Sequence, residues 1–208
     1  MEELQLIHRA LSGDHAAFTA LMEMYQKPVY NLCYRMLGEQ CEAEDAAQEA
    51  FLRAYSRLHS YDAARPFKTW LFSIAAHYCI DRLRKRRVAV LGIDDEPIQY
   101  HPALRSSSPG PQELAERGER RDGVQALLQE LPPQDRAAIV MRYWYDLSYE
   151  EIAEATGVTV SSVKSRLHRA RVALGEKMRT TDLGPRRPVH EAKPAQSRMP
   201  LGAHAAMA

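Results

Sequence analysis

Along this chain apolar residues return at three- and four-residue intervals, the spacing of α-helices, in segment after segment. Phe18, Leu21, Met22, Tyr25, Val29, Leu32 and Met36 form the first long stripe, with Asp14 placed to cap its start and Gly38 its end. Pro28 lies inside the stripe and predicts a kink rather than a stop. A second helix is predicted from about Glu42 to Leu58, turning Ala47, Phe51, Ala54, Tyr55 and Leu58 inward. Tyr61–Pro66 reads as a loop, because Pro66 disfavours helical backbone at Arg65. A third helix follows, with Trp70, Ile74, Tyr78 and Leu83 inward.

From 88 to 121 the periodicity fails, and SSSPGP at Ser106–Pro111 is rich in helix breakers. Beyond it, Leu127, Leu128 and Leu131 mark a short helix that Pro132 and Pro133 end, and Ile139, Val140 and Tyr143 begin another. Ser148 and Glu151 have the spacing of a capping box, and Gly157 suits a left-handed stop. Val163, Leu167, Ala170 and Leu174 recur along one last helix. After Arg179 no period remains, and the tail is expected to be disordered. The pattern predicts an all-α chain of two small helical domains, residues 1–87 and 122–179. A flexible linker at 88–121 joins them and the tail at 180–208 follows.

The polar faces carry the chemistry. Opposite the apolar stripe of the last helix stand Ser161, Ser165, His168, Arg169 and Val172, flanked by Lys164 and Arg171 on one side and Ser162 and Arg166 on the other. A capped helix, a tight Gly turn and a basic helix make a helix-turn-helix whose second helix fits a DNA major groove. The second helix turns Asp45, Gln48, Glu49 and Leu52 outward, and a Leu exposed on an acidic face points to docking. Phe67, Trp70 and Phe72 sit beside the basic cluster Arg82, Arg84, Lys85, Arg86 and Arg87, a combination that suits single-stranded DNA. Taken singly the aromatics fit a core better, whereas the cluster is placed for phosphate contact.

With 208 residues and a net charge of +1, any nucleic-acid surface must arise from local clustering. No apolar run approaches the about 20 residues of a membrane span. The acidic, amphipathic start is no signal peptide. Cys33, Cys41 and Cys79 are odd in number and lack metal spacing, which argues for a reducing cytoplasm. Asp45 with Glu49, and His77 with Asp81, are i, i+4 pairs, but no nucleophile, phosphate loop or third ligand accompanies them. No catalytic residue, metal or cofactor is therefore expected.

Four segments occur in order: EAEDAAQEAFLRAY (Glu42–Tyr55), FKTWLFSIAAHYCIDRLRKRR (Phe67–Arg87), LPPQDRAAIVMRY (Leu131–Tyr143) and LSYEEIAEATGVTVSSVKSRLHRAR (Leu147–Arg171). Together they resemble the extracytoplasmic-function (ECF, group 4) sigma factors of bacterial RNA polymerase. The resemblance implies that residues 1–87 are region 2, whose Asp45, Gln48, Glu49 and Leu52 dock on the β′ clamp helices of the core enzyme. It implies that Tyr61, Arg65, Phe67, Lys68, Trp70 and His77 belong to the part that captures flipped non-template bases of the −10 element, with Arg82–Arg87 on duplex upstream. It implies that residues 122–179 are region 4, where Lys164, Ser165, His168 and Arg169 match base-edge readers of the −35 element and Arg166 and Arg171 suit phosphates. The β flap and an anti-sigma factor complete the implied partners, with no small-molecule substrate and no membrane insertion. The linker, with its acidic Asp94–Glu96 patch, would thread towards the polymerase cleft. His77 and His168 depart from the family pattern at promoter-facing positions, so promoter sequence does not carry over. The rival reading, a stand-alone helix-turn-helix regulator, leaves the Glu42–Tyr55 segment without a role.

Overall fold

The chain begins with α1 (Glu2–Leu11), which a turn at Gly13 with φ of 91° joins to α2 (His15–Leu37). The computed structural model describes residues 2–91 and 123–180. The Asp94–Glu96 patch, the SSSPGP stretch and nearly all of the tail lie outside the described residues. Asp14 caps α2 by accepting from the backbone N–H of Ala16 and Ala17, and the side chain of Arg9 grips the same carboxylate at 2.6 Å. Pro28 stays inside α2, which runs on to Gly38 in the left-handed conformation. α3 (Gln40–Arg57) starts on Glu39, whose carboxylate accepts from the N–H of Cys41 and Glu42, and a 3-10 turn at Leu58–Ser60 ends it. α4 (Phe67–Leu91) is longer than the linker boundary at 88 implied.

The described part of α5 spans 123–129. α6 (Pro133–Tyr145) takes Pro133 in its first turn, where a missing N–H costs nothing. Asp146, with φ of 54°, ends α6 in the left-handed region that Asp tolerates. α7 (Tyr149–Thr156) opens on the Ser148–Glu151 capping box and stops at Gly157. α8 (Val160–Thr180) outlasts the stripe that announced it.

α1–α4 and α5–α8 form two helical units whose apolar interiors meet in one continuous core running from Ile7 to Ala170. α4 is the shared element, packing on α2 and α3 and also on α6 and α7. That double burial explains where the predicted stripe failed. Trp70, Tyr78 and Leu83 are only partly buried, while Leu71, Phe72, Ala75, Ala76, Cys79 and Ile80 form the interior face. Fully burying a side chain such as Phe72 or Leu71 contributes about 1.5–3 kcal/mol. Tyr55 was expected inside and is 46% exposed; its ring packs on Phe18 and its hydroxyl meets His15 at the rim. Tyr143 likewise faces out.

Candidate nucleic-acid interface

The helix-turn-helix is held by its own short-range bonds. Ser148 accepts from Glu151 N–H at 3.1 Å while the Glu151 carboxylate accepts from Ser148 N–H at 2.7 Å. Arg142 donates to the Leu147 carbonyl and lies over the Tyr149 ring, fixing the turn between α6 and α7. Thr159, which the sequence reading passed over, caps α8 by accepting from Ser162 N–H at 3.2 Å. A Thr immediately before the first helical residue, Val160, was the available signal. Val163, Leu167 and Ala170 are buried, so Ser161, Lys164, Ser165 and His168 stand exposed on the far face. Ser162 is half-buried beside Thr159, and Arg171 folds back onto the Leu167 carbonyl.

Arg169 behaves differently. It forms a two-pronged pair with Asp135 of α6, at 2.9 and 3.1 Å. Asp135 is 5% exposed, so the guanidinium neutralises a buried carboxylate, and this bond holds its own pKa above the usual arginine value. Arg169, expected among the base-edge readers, is exposed on its outer side and engaged with Asp135 on its inner one.

The 61–66 loop is knit internally. The Tyr61 hydroxyl donates to the Arg65 carbonyl, and Asp62 accepts from Ala64 N–H. Tyr61 and Phe67 are 7% and 4% exposed, packed on each other and on Trp70. Both were expected among base-contacting residues; here they form the floor that shapes the loop, and the half-buried Trp70 is the ring nearest the surface. Arg65 reaches Glu154 of α7 at 2.9 Å, and Lys68 donates to the Tyr145 carbonyl at 2.9 Å. His77 is exposed with Nδ1 on the Ser73 carbonyl. In the basic cluster, Glu42 pairs with both Arg82 and Arg86, and Asp81 lies beside Arg84. Lys85 and Arg87 are exposed on the same helix.

On α3, Asp45, Gln48 and Leu52 face outward, Leu52 being 65% exposed, and Glu49 pairs with Arg53 at 2.7 Å. Leu52 borders an open groove of about 990 Å³ between α2 and α3, whose walls include Phe51, Tyr55, Met22 and Tyr30. Among the described residues no three His, Cys, Asp or Glu side chains gather as metal ligands, and no helix is long and apolar enough to cross a membrane.

Comparison with known proteins agrees with this layout. Residues 21–88 match the model of Sigma-70 region 2, and residues 121–174 match that of Sigma-70, region 4. The ECF RNA polymerase sigma factor SigW of Bacillus subtilis is 37% identical over 179 residues, covering 83% of this chain and 95% of that one. The ECF RNA polymerase sigma-E factor of Escherichia coli K12 is 35% identical over 178 residues, covering 83% and 92%. The structure of CnrH in complex with the cytosolic domain of CnrY superposes with a TM-score of 0.63 at 25% identity, covering 87% of this chain and 99% of that one.

Proposed function

This chain belongs to the sigma-70 family, in its ECF branch, and from that membership we infer that it binds core bacterial RNA polymerase and directs promoter-specific transcription initiation. The observation that carries the reading is the presence, in one chain and in order, of both family regions, each with its own exposed polar face. In the N-terminal unit, residues 1–87, Leu52 with Asp45, Gln48 and Glu49 forms the surface for the β′ clamp helices. An apolar knob at the edge of an open groove supports that role. The 61–66 loop, Trp70 and His77 receive unpaired bases of the −10 element, while Arg82–Arg87 follow phosphates. In the unit 122–179, Ser161, Lys164, Ser165 and His168 read the −35 element, with Arg166 and Arg171 on the backbone.

The chain supplies binding and no bond-making chemistry. Melting is favoured because each captured base gains stacking worth about 1–3 kcal/mol. Region 4 rests on the β flap. An anti-sigma factor, acting in the cytoplasm on the same surfaces, is the expected negative regulator of what is then a signal-responsive initiation factor.

Run-off transcription with purified core polymerase and fragments of the source genome tests this directly. Discrete transcripts that require the chain are the expected result. Leu52→Ala should weaken its association with core while leaving its helicity unchanged. Initiation should fall steeply with added salt, because phosphate contacts release counterions. A chain that binds operator DNA but never core polymerase would instead be a stand-alone regulator.

A further inference from the structure

The basic cluster at 82–87 and the base-receiving loop at 61–66 stand at opposite ends of one stretch of α4. From Trp70 up to Arg82 that stretch carries no Lys or Arg. It is about 18 Å long at 1.5 Å per residue. A strand following it brings about five phosphates, one per about 3.4 Å. The cation nearest the middle of the interval comes from α3. Glu42, Glu49 and Arg53 recur there at i, i+7 and i+11, on one face of the helix. Across the seam, α4 sets Tyr78, Arg82 and Arg86 four residues apart. Glu42 pairs with Arg86 at 3.5 Å and with Arg82 at 3.4 Å, and Arg82 donates to the Tyr78 hydroxyl at 3.5 Å. The Arg53 guanidinium lies over the Tyr78 ring, 4.9 Å from its centroid, and its Nε donates to Glu49 at 2.7 Å. Arg53 is therefore the next cation in the row after Arg86 and Arg82, one helical turn nearer the loop.

We propose that Arg53 is a further phosphate-binding residue, carrying the promoter strand across the gap in α4 between the 82–87 cluster and the base-receiving loop, with Tyr78 as the platform that positions it. The inference rests on the sigma reading above and deepens it by adding a DNA contact from a second helix. A guanidinium spends no more than part of its five N–H donors on one carboxylate oxygen. The side chains of Arg53 and Glu49 are 39% and 36% exposed, and a surface pair of that kind is weak, so a phosphate competes with Glu49 for the fork. Stacking on the ring holds the planar group in one orientation, which lowers the entropy lost when it meets a phosphate. Glu49 also lies on the face assigned to core polymerase. Docking that engages its carboxylate leaves Arg53 to the DNA.

The test uses the full chain bound to core polymerase and a fluorescein-labelled forked fragment of a promoter that yields a run-off transcript. Binding is followed by anisotropy over a series of salt concentrations. Arg53→Gln should weaken binding about three- to tenfold and make the slope of log affinity against log salt shallower by about 0.7–0.9, the loss of one phosphate contact. Its affinity for core polymerase should stay at the wild-type value, and thermal melts should show folded protein. Arg53→Lys keeps the charge and should keep the slope. Arg179→Gln removes a charge at the far end of α8 and should leave the slope unchanged. Tyr78→Leu takes away the platform, so adding Arg53→Gln to it should cost less than in the wild type. Tyr78→Phe keeps the ring, and Arg53→Gln should cost its full amount in that background. An unchanged slope for Arg53→Gln, an equal change for Arg179→Gln, or a matching loss of core affinity would overturn the assignment alone. A wild-type chain that gives no transcripts would instead overturn the sigma reading, and the assignment with it.

Discussion

Asp135 is buried, and Arg169 is the group that neutralises it. Removing either partner leaves the other poorly satisfied, and a buried carboxylate without its cation is the worse outcome. Arg169→Ala should therefore lower the thermal midpoint as well as −35 selectivity. The double substitution with Asp135→Ala should cost little more stability than the costlier single one, read by denaturant titration. Selectivity that falls with no change in melting would assign Arg169 to DNA alone. Asp14 carries a different charge effect. The Arg9 side chain, and then the Ala17 N–H, hold its carboxyl below the usual aspartate value. A depressed folded pKa gives stability that is present above the unfolded value and lost as pH falls through the folded one. Below about pH 4 the wild type should lose stability on acidification more steeply than Asp14→Asn.

The helices were legible wherever their causes are local. Asp14, Gly38, Ser148 with Glu151, and Gly157 each sit where the sequence placed them, since a cap depends on residues within one turn. Ser148→Ala removes the hydroxyl that accepts from Glu151 N–H, keeps the backbone N–H that Glu151 accepts from, and should cost about 1 kcal/mol in chemical denaturation. The Val163–Ala170 stripe was readable because α8 buries one narrow side. α4 was not, because units on two sides bury most of its surface, and hydrophobic period alone cannot fix the phase of such a helix. The same limit applies to the candidate site. The exposed set on α8 and Leu52 on α3 followed from position on a helix face. The burial of Tyr61 and Phe67, the turn of Arg169 onto Asp135 and the cover over Lys68 depend on partners many residues away, which no local pattern announces.

Across the whole molecule, Arg136 is a buried link at the junction, bonded to Met36 of the N-terminal unit and to Gln129 and Leu131 of its own. It is 4% exposed, and its guanidinium donates to the carbonyls of Met36, Gln129 and Leu131 and to the Gln129 side chain. Burial pulls its pKa down to about 10, which still leaves it charged at neutral pH. Arg136→Met keeps much of the volume but strips donors from buried carbonyls, at about 1–3 kcal/mol for each group left unsatisfied. A loss of roughly 3 kcal/mol is expected, with one cooperative transition splitting into two if the units retain stability apart. Gly38 approaches the same junction from α2. Its φ of 86° suits Gly, and a Cβ there would stand 2.7 Å from Cδ of Gln129. Gly38→Ala therefore carries about 1–2 kcal/mol of left-handed backbone cost. It also displaces the side chain that accepts from Arg136. Because both substitutions disturb Gln129, their costs should not add: Gly38→Ala in the Arg136→Met background should be cheaper than alone, measured by a double-mutant cycle in urea. Strict additivity would mean that Gln129 moves aside freely, and that Arg136 holds the units together through backbone carbonyls alone.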